Sequence, residues 1–167
     1  QPIDHLIVYT NSEKIDHVQE ILNSHGIIQH KFTYQEGSDE RQQILSEFES
    51  GEYDALVAMK CLDEGVDVQA TKQAVLMSNT GNPMEFIQRR GRVLRRFPGK
   101  DKATIFDFVV VPTLNPDANL IESEKNILRK ELRRFEEFAS HSNNEVEARN
   151  KIGKIKIQYQ VSGDDKS

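Results

Sequence analysis

Cysteine is almost missing from this chain: Cys61 stands alone among 167 residues, which excludes an internal disulfide. One cysteine cannot build a zinc site either. His5, His17, His25, His30 and His141 fall at no metal-ligand spacing, so they read as surface or packing residues and no metal site is expected. Long apolar runs are also missing. The longest are strand-sized, too short for a membrane-spanning helix, and no signal-peptide pattern opens the sequence. There is no phosphate-cradling loop of the form Gly-x-x-x-x-Gly-Lys-Ser/Thr, and no Asp-Glu-x-His or Asp-Glu-Ala-Asp box. Internal repeats and low-complexity tracts are absent. The first residue is Gln1 rather than Met, which reads as a piece of a longer protein.

What is present is the composition of a globular chain, 37% hydrophobic and 29% charged, long enough for one domain or one domain with an extension. Leu6-Ile7-Val8-Tyr9 reads as a buried strand. Thr10 with Glu13 has the spacing of a capping box, followed by a helical stripe of Ile15, Val18 and Leu22 that stops at Gly26. Ile27 to Phe32 is a second strand. A helix starting at Ser38 or Asp39 turns Ile44, Leu45 and Phe48 inward and closes at Gly51. Ala55-Leu56-Val57-Ala58, Ala74-Val75-Leu76-Met77 and Thr104 to Val111 give three further strands. Strands alternate with helices, and the strands are near-continuous apolar runs. This predicts an α/β fold with a mostly parallel sheet flanked by helices on both faces. Such sheets carry their ligands at the carboxyl ends of the strands, here at Thr10-Asn11-Ser12, Met59 to Asp67 and Ser78 to Asn82.

Pro112 and Asn115-Pro116 interrupt the pattern, so the sheet domain is expected over 1–112 and a helical extension over 113–162, with a disordered tail at 163–167. The extension opens on a long helix with an apolar stripe of Leu120, Ile121, Ile127, Leu128, Leu132, Phe135 and Phe138 among Lys125, Arg129, Lys130, Arg133 and Arg134. Ile155, Ile157, Tyr159 and Val161 alternate with polar residues, which predicts a short strand there.

The richest segment is Asn82 to Arg96. Asn82 suits an N-cap, Pro83 the first helical turn, and Glu85 a reciprocal capping contact. At about 100° per residue, Gln88, Arg92 and Arg95 fall within one narrow arc, while Phe86, Val93, Leu94 and Phe97 gather on the opposite side. Two guanidinium groups and a carboxamide on one rigid face suit a phosphate chain whose charge grows during reaction. The plain alternative is a solvated basic face. Against it, Gly91 costs a mid-helix position about 1 kcal/mol relative to Ala, and seven cations from Arg89 to Lys102 oppose only Asp101 inside a chain of net charge −5. Upstream, Leu62-Asp63-Glu64-Gly65-Val66-Asp67-Val68 follows a buried strand. This acidic loop can accept hydrogen bonds from ribose hydroxyls, and Gly65 permits close backbone approach. Alone it is no more than a turn, and its spacing fails as a calcium loop.

In this order the parts resemble the second RecA-like lobe of superfamily-two helicases and DNA translocases, over roughly Leu6 to Val111. Leu6 to Ser12 resembles motif IV, and Glu40-Arg41 with Phe48 and Gly51-Glu52 the helix before motif V. Val57 to Val68 is similar to motif V, and Gln88 to Arg95, in the form Gln-Arg-x-Gly-Arg-x-x-Arg, to motif VI. The Leu-Asp-Glu-Gly form and the Gln-Arg opening look most like XPB-type and restriction-associated translocases.

The resemblance implies roles. Arg92 and Arg95 match arginine fingers, and Gln88 a γ-phosphate sensor or interlobe contact. Gly65, Asp67 and Arg89 match positions at or supporting the ATP site. Thr10, Asn11 and the start of motif V match positions that grip a nucleic-acid backbone. Met59 departs from the common Thr, and Lys60 is the compensating cation. ATP and Mg²⁺ are then expected mainly on an N-terminal RecA-like lobe of the same protein, which the present chain lacks. The implied partner is nucleic acid, double-stranded DNA by family likeness, with a nuclease or methyltransferase as a further partner of the extension and no membrane. The implied location is the cytoplasm, nucleoid-associated, or another reducing compartment. Two other readings stay open on residues alone: a catalytically silent RecA-like adaptor, and a doubly wound transferase whose arginines hold a diphosphate.

Overall fold

The apolar runs of the sequence fold as expected into strands, and each strand pairs in parallel. The computed structural model describes residues 3–59, 68–77, 98–112 and 122–161. Two compact units divide between Asp107 and Phe108, five residues before the boundary expected at 112. The first unit holds β1 (Leu6–Tyr9), α1 (Ile15–Ser24), β2 (Gln29–Phe32), α2 (Ser38–Ser50), β3 (Ala55–Ala58), β4 (Gln73–Leu76) and β5 (Thr104–Asp107). The sheet order is β2-β3-β1-β4-β5. Phe32, Ala58, Tyr9, Leu76 and Asp107 stand in one row across all five strands.

Burial follows position in the sheet. The inner strands β1 and β3 are buried at every residue, while the edge strands β2 and β5 carry polar and half-exposed residues. Successive strand residues face opposite sides. Leu6, Val8, Ala55 and Val57 meet Ile15, Val18 and Leu22 of α1. On the other face Ile7, Leu56 and Ala58 are fully buried as well, as a doubly covered parallel sheet requires. α2 turns Ile44 and Phe48 inward and ends at Gly51, whose φ of 84° lets its N–H reach back to the Phe48 carbonyl.

Three local expectations change. The strand expected to Val111 ends at Asp107, and the next carbonyl, that of Phe108, accepts from Arg134 Nη2 at 3.2 Å. Thr10 and Glu13 form no capping box. Lys14 is the N-cap of α1, and its N–H is taken by Asn11 Oδ1 at 3.1 Å. The short strand expected over Ile155 to Val161 does not form: Ile155 to Tyr159 is the last part of a helix, and Gln160 caps it. The second unit is a pair of helices, α3 (Glu122–Ala139) and α4 (Glu145–Tyr159), joined by a short turn. Ala148, Ile152, Ile155 and Tyr159 have helical spacing and face inward, while Ile157 is exposed. The alternation in sequence was real, but packing against Leu128, Leu132 and Phe135 of α3 selects the period of 3.6. Ile127, expected in the α3 stripe, also points to solvent. Arg129 binds Glu122, and Lys156 binds Glu136 at 2.5 Å, so much of this unit's positive charge is paired locally. The expected tail lies outside the described residues.

At the amino end of the sheet, Asp4 accepts from Lys72 Nζ at 2.6 Å and contacts the His5 ring, which packs edge-on to Phe48. The Lys72 ammonium, and after it His5, hold the Asp4 carboxyl below its ordinary value of 3.8. A depressed carboxylate contributes stability above the unfolded value and loses it as pH falls through the folded one. Asp4→Asn should therefore lower Tm at pH 7, and the gap from wild type should close below about pH 4. Thermal melts across pH 3 to 7 check this; a gap of constant size would remove the ion pair as its cause.

Candidate functional site

A parallel sheet gathers loops of one kind at its carboxyl edge, and its order decides where they part. From β1 the chain runs to β2 on one side, and from β4 to β5 on the other. The carboxyl ends of β1 and β4 therefore flank the switch point, where open α/β sheets hold their ligands. Thr10 and Asn11 leave β1 at this place, and Met77 leaves β4 with its N–H on the Tyr9 carbonyl at 2.9 Å.

Thr10 is 5% exposed. Its N–H extends the sheet by donating to Ala58 O at 3.0 Å, but its hydroxyl is buried with no hydrogen-bond partner among the described residues. Such a group costs about 1–3 kcal/mol unless something satisfies it. Asn11 spends its Oδ1 on the Lys14 N–H, which orders the entry to α1. The ten-residue α1 starts at Ile15, one turn after this pair, so the positive end of its dipole faces the carboxyl edge of the sheet. Neutral donors and a helix N-terminus together suit an anionic oxygen.

The next strands extend the row. Phe32, Ala58 and Tyr9 are aligned, so Thr33, Met59 and Thr10 follow on neighbouring strands, with Thr33 about 10 Å from Thr10 at the usual strand spacing. Reading the sequence missed Thr33. It is 1% exposed and every polar group on it is used. Its N–H donates to Glu36 Oε2 at 2.7 Å and its hydroxyl to the same carboxylate at 2.9 Å. Its Oγ1 accepts the Gln35 N–H at 3.1 Å, and its carbonyl accepts Arg41 Nη2 at 3.2 Å. The signal was legible: Thr33-x-x-Glu36 has capping-box spacing in front of a helix. Of the other expected site residues, Lys60, Gly65, Asp67, Gln88, Arg89, Arg92 and Arg95 lie outside the described residues.

The family profile described as "Helicase conserved C-terminal domain" matches residues 1–97. Among curated proteins, the chain is 42% identical over 78 residues to the DNA 3'-5' translocase XPB2 of Sulfurisphaera tokodaii, covering 47% of this chain and 17% of that protein. It is 35% identical over 66 residues to the ATP-dependent DNA helicase MPH1 of Vanderwaltozyma polyspora, covering 38% of this chain and 6% of that one. The matches thus span a small part of these relatives. Among solved structures, the C-terminal domain of the DEAD-box protein Dbp5 superposes with a TM-score of 0.59 at 19% identity, covering 81% of this chain and 72% of that one. The C-terminal part of the Fun30 ATPase domain gives a TM-score of 0.56 at 14% identity, over 83% and 49%. These two likenesses establish the shared fold.

Thr10→Val keeps the shape of the side chain and removes only the buried hydroxyl. Stability should be unchanged or raised, as read by thermal or urea unfolding. A loss above about 1 kcal/mol, the typical net worth of one hydrogen bond, would show that the hydroxyl already has a partner in the folded chain.

Proposed function

The chain belongs to the helicase conserved C-terminal domain family, and from that membership we propose that it is the second motor lobe of an ATP-dependent helicase or translocase acting on DNA. The observation that carries the reading is the switch-point edge. A buried hydroxyl at Thr10, without a partner among the described residues, stands there beside Asn11 and the N-terminus of α1, in the segment that resembles motif IV. These groups would hold a backbone phosphate of one strand, with Lys60 as the adjoining cation. The names of the XPB2 translocase and the MPH1 helicase support DNA as the polymer.

The division of labour follows from chemistry that this chain has and lacks. Among the described residues no three His, Cys, Asp or Glu side chains converge to hold a metal ion, and the sequence has no phosphate loop. The missing phosphate loop is the reason for assigning the metal and most nucleotide contacts to an N-terminal RecA-like lobe. The present chain contributes guanidinium charge. Arg92 and Arg95 would meet the γ-phosphate of substrate ATP, with Gln88 sensing it, Arg89 supporting the motif locally, and Gly65 and Asp67 near the ribose. Closing of the lobes on ATP and opening after hydrolysis would then move the grip along the strand.

The decisive experiment is steady-state ATPase of the full-length protein, with and without DNA, beside its Arg92→Ala and Arg95→Ala variants. DNA should stimulate turnover. Loss of a finger should reduce kcat by about 10³- to 10⁵-fold with the fold intact. The isolated chain should hydrolyse ATP negligibly. Normal turnover in a folded Arg92→Ala protein would sink the finger assignment. A folded full-length protein without turnover on any nucleic acid would make the chain an adaptor. Thr10→Val should weaken strand binding without loss of stability.

A further inference from the structure

The β2–α2 loop presents a ring that none of these roles uses. Tyr34 follows Thr33 directly and is 69% exposed, although its neighbour is buried to 1%. A single exposed aromatic is ordinary on a protein surface. This one has an unusual support. The four hydrogen bonds that spend Thr33 on Glu36, Gln35 and Arg41 fix the backbone on which Tyr34 stands. A ring on a fixed backbone loses little freedom when something stacks on it.

Its place and its surroundings name the occupant. Tyr34 follows Thr33, which stands two strands along the carboxyl edge from Thr10, about 10 Å by strand spacing. A strand held at Thr10 covers that span in about three stacked nucleotides, at about 3.4 Å each. The loop and the start of α2 carry Glu36, Asp39 and Glu40, with Arg41 turned onto the Thr33 carbonyl. Such a neighbourhood disfavours a phosphate and leaves the face of a base as the matching surface. A base paired inside a duplex hides its faces, so the partner must be unpaired.

We propose that Tyr34 stacks on an unpaired nucleobase of the strand gripped at Thr10 and Asn11, so that this edge favours single-stranded over paired segments. The inference rests on the nucleic-acid reading above and adds to it the chemistry of the contact and the state of the strand.

The test titrates the full-length protein, with a non-hydrolysable ATP analogue present, against labelled oligo(dT), a blunt duplex, and an oligonucleotide with abasic sites throughout. Binding is followed by fluorescence anisotropy over a salt series, for wild type, Tyr34→Ala, Tyr34→Phe and Thr10→Val, each checked for folding by thermal melting. Tyr34→Ala should weaken oligo(dT) binding by about 5- to 150-fold, the range for loss of one base–aromatic stack. The duplex and the abasic strand should change little, and the salt slope should stay the same because no counterion is involved. Tyr34→Phe should bind like wild type, since the ring and not the hydroxyl acts. Unchanged oligo(dT) binding in Tyr34→Ala, with Thr10→Val weakened, would overturn the stacking role and leave the motor reading intact. An equal loss on the abasic strand would overturn it in favour of a backbone contact. No binding of any nucleic acid by the folded wild-type protein would remove the motor reading and this inference together.

Discussion

The parallel pairing of β1 between β3 and β4 is the constraint on which the rest depends. Leu6-Ile7-Val8-Tyr9 is buried at all four residues and is bonded on both sides. A strand in that position has no polar face to show water, so its sequence is fixed as apolar throughout. Its central place also makes the switch point, since the chain leaves β1 and β4 in opposite directions. The first residue after β1 must then serve two masters. Thr10 continues the sheet through its N–H and brings a hydroxyl into the buried end of the strand. An apolar residue of the same shape would meet the structural need alone. The hydroxyl is the part of the residue that the fold does not explain.

A second constraint acts at the neighbouring edge. Thr33 also follows a strand and is also buried, yet all its polar groups are satisfied within the loop. Two threonines at equivalent register thus have opposite hydrogen-bond states. Where the local chain closes its own network, the residue is scaffold and its exposed neighbour is presented. Where the network stays open, the residue is available to a ligand.

The strands and helices of the first unit were legible because their signals are local. Continuous apolar runs of four residues mark strands, and Ile15, Val18 and Leu22 mark a helical face. The ends of elements were less legible. Asn11, not Thr10, orders the entry to α1, because Thr10 was already committed to the sheet by pairing with β3. Ile155 to Val161 misled for a related reason. Its alternation suits a strand, but the partner offered by the chain is a helix, and only helical winding brings Ile152, Ile155 and Tyr159 onto one side against α3. The family match over residues 1–97 bears out the likeness of the lobe as a whole, and the residues of its two motifs from Lys60 to Asp67 and from Gln88 to Arg95 lie outside the described ones. The Thr33 network could be read only in part. Its Thr-x-x-Glu spacing is visible in sequence, but the contribution of Arg41 from eight residues away needs the loop geometry.

Charge placement gives the proposed motor a physical logic. The chain is acidic overall, yet seven of its 22 cations crowd between Arg89 and Lys102. At the sheet edge the groups offered are different: a neutral hydroxyl, a carboxamide and a helix N-terminus. Ionic contacts to a phosphate backbone are strong and depend steeply on salt, whereas neutral hydrogen bonds are individually weak and released easily. A lobe that must grip and let go in every cycle is better served by mostly neutral donors on the strand, with Lys60 as the single adjoining cation of the proposed grip. Guanidinium charge is better kept for the phosphate whose charge changes during reaction. In this reading the arginines report the state of the nucleotide, and the edge beside β1 converts that state into a hold on the strand. The two functions can then be tuned apart: altering a neutral donor changes grip with little effect on turnover chemistry, and altering a guanidinium does the reverse.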